Sequence, residues 1–117
     1  MRKTFLRSDE MHDRYLAAEK DPNFYETVPS MKEWQYWRII ENQFPYDTIA
    51  SVHHILIPKR EFQTVDEANE DETVEIADEI FDWIKKESHY DMILENLPHQ
   101  QSQPQRLHYH LLKLKTV

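Results

Sequence analysis

The sequence predicts an α+β fold, and three observations carry the prediction. Two runs rich in aromatic and β-branched residues, "EWQYWRII" and "IASVHHILIP", lie next to each other with a proline-containing break between them. That is the pattern of an antiparallel strand pair. A second pair, "YDMILENL" and "RLHYHLLKLKTV", closes the chain. Between the pairs stands a long stretch of helical periodicity, "TVDEANEDETVEIADEIFDWIKKES". Strand pairs with segregated helices make an α+β domain rather than an alternating βαβ one.

In chain order, the first element is a helix from about Ser8. Ser8 is a plausible N-cap, Met11, Tyr15 and Ala18 follow at helical spacing, and "DPNF" stops the run. The first strand extends to about residue 42, where "NQFPYD" breaks it around Pro45. The second strand ends at Pro58. The main helix shows an apolar face through Val74, Ala77, Ile80 or Phe81, and Ile84. Acidic residues crowd its start and Lys85 and Lys86 close it, which complements the helix dipole. The acidic run Asp66–Glu72 reads as a solvated helix start. A third strand, the polar loop "PHQQSQPQ" and the last strand complete the order. No repeat or linker divides the chain, so residues 1–117 are expected to form one domain.

Composition removes several function classes. There is no cysteine among the 117 residues, which excludes disulfides, thiolate zinc sites and a cysteine nucleophile. There is no glycine either, so a Walker loop and a G-x-G-x-x-G fingerprint are impossible. Tight turns must use Asn, Asp, Ser or Pro. The net charge of −8 argues against a long nucleic acid as partner, while a small anion in a pocket remains compatible. No run approaches the ~20 apolar residues of a membrane span. The stretch "MRKTFLRSDEMHDRY" lacks the apolar core of a signal peptide. These features lead to the expectation of a cytoplasmic protein with no membrane partner.

The chemistry-bearing feature is "QRLHYHLLKL", with two histidines one residue apart. On a strand His108 and His110 point to the same face. They read as polar residues on a wet face, as part of a metal site with His53 or His54, or as a nucleophilic pair. Neutral imidazole attacks phosphorus through its unprotonated nitrogen, so the other nitrogen needs an acceptor that fixes the tautomer. A neighbouring histidine then stabilises the developing charge. Of the other histidines, His12 reads as solvated in a charged helix and His99 lies in the polar loop.

"RIIENQFPYDTIASVHHILIPKREF" and "NLPHQQSQPQRLHYHLL" together resemble the two halves of a histidine-triad (HIT) protein, over roughly residues 35–114. The resemblance implies an antiparallel sheet of about five strands with a main helix and an N-terminal helix. It implies a nucleoside phosphate hydrolase or nucleotidyl transferase working through a nucleotidyl-histidine intermediate, with no metal and no cofactor. Its partner would be a small-molecule nucleotide, and a homodimer is expected because such proteins commonly pair. The chain has three tryptophans, Trp34, Trp37 and Trp83, that read as core or interface. Carried over, His108 falls on the family's central histidine, the nucleophile, and His110 on the third, which binds phosphate. His53 matches the histidine that opens the "IPK" strand, Asn42 the residue that holds the ribose, and Asn96 an asparagine that contacts phosphate. Arg106 stands where the motif opens with histidine; it is expected to donate to a phosphate rather than act as acid or base. Two rivals stay open: a non-catalytic nucleotide-binding or interaction protein with a degenerate triad, and a metalloprotein using His53, His108 and His110.

Overall fold

The structure is a computed structural model that describes residues 4–18, 24–101 and 106–116. The fold is α+β, with one antiparallel sheet of five strands. The strands are β1 (Lys32–Glu33), β2 (Trp37–Glu41), β3 (Ala50–Pro58), β4 (Met92–Glu95) and β5 (Tyr109–Leu114), in the spatial order β1-β2-β3-β5-β4. The four runs read as strands all pair. The fifth strand, β1, is a two-residue edge that the pattern did not mark, too short for alternation to show.

The helices are α1 (Asp9–Ala18), the single turn α2 (Phe24–Thr27), α3 (Glu70–Val74) and α4 (Phe81–Lys86). A π-helical segment, Glu75–Ile80, joins α3 to α4. Ser8 caps α1, its Oγ accepting from the Met11 N–H at 3.2 Å. Most of the predicted "DPNF" stop, and residues 102–105 of the polar loop, lie outside the described residues.

The main helix begins later than the periodicity suggests. Thr64 does not open it; Val65–Glu67 form a separate 3-10 turn, and Asn69 caps α3. The Asn69 side chain accepts from the Glu72 N–H, and the Glu72 carboxylate accepts from the Asn69 N–H. Glu72 is therefore buried, not solvated, and Arg60 donates to it at 2.7 Å. The core face of the main helix matches the expected one at Ile80 and Ile84 and departs from it in the first turns. Val74 and Ala77 are exposed, while Ile76, Ile80 and Ile84 are buried. The π segment winds more slowly than an α-helix, so residues four apart stay on one face across it.

The sheet has two covered faces, and this decides where the histidines sit. Trp37, Ile39, Leu56, Tyr109 and Leu111 pack against Ile76, Ile80 and Ile84 on the helix side. Ile40, Ile55 and Ile57 face the other way, against Tyr25 and Val28. Arg38 fastens the latter segment by donating to Val28 O, Ser30 Oγ and Tyr25 O. By alternation, Asn42, His53, His108 and His110 belong to this second face. His54 takes the helix side and hydrogen-bonds the Tyr90 hydroxyl. Among the described residues no helix is long and apolar enough to cross a membrane.

Candidate functional site

β3 and β5 are neighbours, and their register sets the site. Ile55 lies opposite His110 and His53 opposite Leu112, so His53 and His110 meet on the diagonal. Their rings are 4.9 Å apart, and the His108 and His110 rings 4.7 Å. The three histidines thus form one cluster, each at most 4% exposed.

The hydrogen bonds assign the protons. The Tyr46 backbone N–H donates to His53 Nδ1 at 2.9 Å. A backbone amide can only donate, so in neutral His53 the proton is on Nε2. That proton is donated to His110 Nδ1 at 2.7 Å. His110 therefore carries its own proton on Nε2, which faces Tyr46 Oη as acceptor at 3.3 Å; Asn96 Nδ2, 3.2 Å away, donates to the same Tyr46 Oη. The turn that supplies the first donor is glycine-free, as the composition demands. Phe44 N–H donates to Asn42 Oδ1 at 2.8 Å, an Asx turn, and Pro45 precedes Tyr46.

His108 is fixed separately. Its Nδ1 is 2.8 Å from the carbonyl oxygen of Arg106. A carbonyl only accepts, so Nδ1 carries the proton and Nε2 holds a free lone pair. The acceptor belongs to the backbone of the residue two positions earlier, and the identity of that residue's side chain does not enter.

Arg106 itself is committed elsewhere. It is 3% exposed, and its guanidinium donates to Glu26 Oε1 at 2.9 Å and to Pro58 O at 2.6 Å. It does not line the cavity described below. Arg106 thus ties α2 to the end of β3, at the position where the sequence leads to the expectation of a phosphate donor. Arg106→Ala is expected to destabilise the fold by about 2–4 kcal/mol, because Pro58 O loses its charged donor in a buried setting. A urea midpoint that falls at unchanged m checks this, and a loss below ~0.5 kcal/mol contradicts it.

A cavity of about 40 Å³ opens beside His108 and His110. Asn96 lines it, just beyond the end of β4, together with Tyr46 and Gln100. Asn42 does not line it; its Nδ2 lies against the His53 ring, 3.3 Å from Nε2. His53 stands behind His110, as a support rather than a wall. The remaining wall comes from the N-terminal segment: Thr4, Leu6, Arg7, His12 and Tyr15. Sequence reasoning missed all five, and it took His12 for a solvated residue. No local pattern announces them, because they reach the cluster across some 100 residues of chain. Tyr46 had a signal, its place after Pro45 in the turn before the histidine strand.

The electrostatics keep the histidines neutral. Burial pushes the His53 imidazole down to about 3, with the Arg7 charge and His108 acting in the same direction. Burial also holds His110 well below its ordinary value, with His108 and His53 adding to it. His108 is lowered chiefly by burial, against the opposing hydrogen bond to Arg106 O. The 2.7 Å between His53 Nε2 and His110 Nδ1 is a hydrogen bond, with no room between them for an ion needing ~2.0 Å to each nitrogen. Among the described residues no group of three His, Asp or Glu side chains is arranged to hold a metal. Such a pocket offers one imidazole nucleophile, hydrogen-bond donors beside it and a nearby guanidinium.

No protein-family profile matches the chain, and no curated protein matches it.

Proposed function

We propose that this protein binds a nucleoside phosphate and transfers or hydrolyses its nucleotidyl group through His108, in the manner of the histidine-triad proteins it resembles. The observation that carries the reading is the hydrogen bond from His108 Nδ1–H to Arg106 O, which leaves Nε2 unprotonated beside the cavity. In the reaction, Nε2 attacks the α-phosphorus. A P–N bond forms, the bond from phosphorus to the leaving group breaks, and the leaving group departs with that electron pair and takes a proton from water. The positive charge left on the ring is stabilised by Arg106 O at Nδ1–H. Water then attacks phosphorus, the P–N bond breaks with its electrons returning to Nε2, and the nucleoside monophosphate is released with loss of one proton.

The other residues act as supports. His110 Nε2–H and the Asn96 carboxamide stand where phosphoryl oxygens gain charge, and His53 fixes the His110 tautomer. Asn42 fixes the turn that supplies the Tyr46 amide, and its expected ribose contact belongs to the proposal. A homodimer rests on the resemblance alone, since Trp37 is a fully buried core residue and Trp34 packs edge-on against Trp83. A cytoplasmic setting rests on the absence of cysteine.

Single-turnover incubation with adenosine 5′-phosphoramidate tests the reading. AMP and ammonia should appear in equal amounts, with a transient adenylylated protein that is labile in acid. Tight AMP binding without product or adduct replaces the enzyme by a nucleotide-binding protein with a degenerate triad.

A further inference from the structure

We propose that Arg7, from the segment preceding α1, is the phosphoryl-binding cation of this cavity, and that the group it receives is the phosphoryl of a nucleoside monophosphate. The inference rests on the nucleotidyl reading of the site, and deepens it by moving the charged donor from the C-terminal motif to the N-terminal segment.

Charge is the first argument. The cavity wall includes the His108 and His110 imidazoles, which burial keeps neutral, and the Arg7 guanidinium. Among the described residues Arg7 forms no ion pair with a carboxylate. The nearby Asp47 carboxylate is taken by Ser8, which donates to it through its N–H at 2.7 Å and its hydroxyl at 2.6 Å. Asp47 still acts on Arg7 at longer range, but a cation with no carboxylate in contact, beside neutral donors, is an electrostatic site for an anion.

Geometry is the second. Arg7 Nε donates to Phe44 O at 2.8 Å, and Cζ lies 4.4 Å from the Tyr15 ring centre and 4.9 Å from that of Tyr46. The planar group is thus clamped between two aromatic rings and anchored at one N–H. Its two terminal nitrogens have no hydrogen-bond partner among the described residues. Those are the nitrogens that grip a phosphoryl group as a fork. The backbone on both sides of Arg7 is fastened to the turn that carries Tyr46. Thr48 donates to Leu6 O on one side, and the Ser8–Asp47 pair closes the other. The guanidinium is therefore pre-positioned.

Size is the third. A cavity of about 40 Å³ holds about three water molecules. That suits the non-bridging oxygens of one phosphoryl group and excludes a nucleoside, which must lie outside the cavity. Arg106 does not line this cavity, and both its terminal nitrogens are held, by Glu26 and by Pro58 O.

The test is calorimetric binding of AMP, adenosine and inorganic phosphate to the wild-type chain, Arg7→Gln, Arg7→Lys and the exposed control Arg14→Gln. Arg7→Gln should weaken AMP at least about tenfold, ~1.4 kcal/mol, and leave adenosine within twofold. Arg7→Lys should fall between, keeping the charge and losing the fork. Arg14→Gln should match wild type. Inorganic phosphate should bind more weakly than AMP and lose affinity in parallel. If wild type binds AMP and Arg7→Gln binds it equally, the role of Arg7 is overturned while the nucleotide reading stands. If wild type binds neither AMP nor phosphate, both fall. Should Arg7→Gln fail to fold by circular dichroism, the Arg7 Nε–H resonance of wild type decides: it shifts on AMP addition if the guanidinium takes the phosphoryl and stays fixed if it does not.

Discussion

His108→Ala should abolish nucleotidyl transfer, by at least about a thousandfold or ~4 kcal/mol of barrier, while AMP affinity stays within about threefold. The two readouts separate because in the proposed reaction His108 contributes a bond to phosphorus, whereas the ground-state grip is assigned to other groups: the His110 proton, Asn96 and Arg7. The substitution leaves a hole in a site where His108 is 4% exposed, so some stability is lost as well. His108→Gly with added imidazole distinguishes the two effects. A free imidazole entering the hole should restore AMP release from the phosphoramidate, because it supplies the nitrogen nucleophile without the chain. Wild-type turnover in His108→Ala would remove the central histidine from the mechanism outright. A dead variant with AMP affinity also lost would instead make His108 a binding group. His110→Ala should behave differently from both. It removes the donor facing the phosphoryl oxygens and unsettles His53, so affinity and rate should fall together.

Much of the sheet was legible because strands announce themselves by a period of two. That "VHHILIP" and "HYHLL" have one correct face each rules out slips by an odd number of residues; the register that puts His53 on the diagonal from His110 is set by the structure. The same rule sends His54, next to His53, to the opposite face, and it is found there, against Tyr90. Where the rule was silent, the reading stopped. Alternation gives the face of Arg106 but not the direction of a long, flexible side chain, and Glu26, some 80 residues earlier, decided it. The N-terminal wall was illegible for the same reason. Arg7 and His12 carry no periodic relation to residue 110; what joins them is Asp47 and Phe44 receiving hydrogen bonds from Ser8 and Arg7. In the main helix the pattern marked Val74 because an α-helical period was assumed throughout. Ile80 and Ile84 lie on the core face as read, but Ile76 takes the place of Val74 and Ala77 at the π segment, and a single sequence has no mark for an i→i+5 turn. Glu72 looked like one more surface acid, yet the Asn69 cap and Arg60 draw it inside.

Acid should unfold this protein through its histidine cluster. In an unfolded chain each histidine binds a proton near pH 6.5. In the fold, His53 is held neutral down to about pH 3, and His108 and His110 are displaced in the same direction. Above pH 6.5 both states carry neutral imidazoles and the cluster contributes no pH dependence. Below it the unfolded state takes up protons that the folded state refuses, so stability falls as pH drops, across the window from about 6.5 to 3. His53 alone should lose about 2 kcal/mol between pH 7.5 and pH 5, at ~1.4 kcal/mol per unit once the unfolded form is protonated. His108 and His110 add to that loss. Among the described residues no carboxylate acts on the cluster to offset a new charge; Arg7, Tyr25, Tyr46, Asn42 and Asn96 are among the groups facing it. A domain of this size has only ~5–15 kcal/mol to lose. Urea unfolding at pH 7.5, 6.0 and 5.0 should therefore show a stability that falls ever more steeply, and His53→Gln should flatten the curve relative to its own value at pH 7.5. An anion changes the outcome in a defined way. AMP at a hundred times its dissociation constant should add ~2.7 kcal/mol at each pH where it binds equally well. A stability that is level from pH 7.5 to pH 5 would mean the three imidazoles accept protons in the fold, and the neutral His108 nucleophile would fall with them.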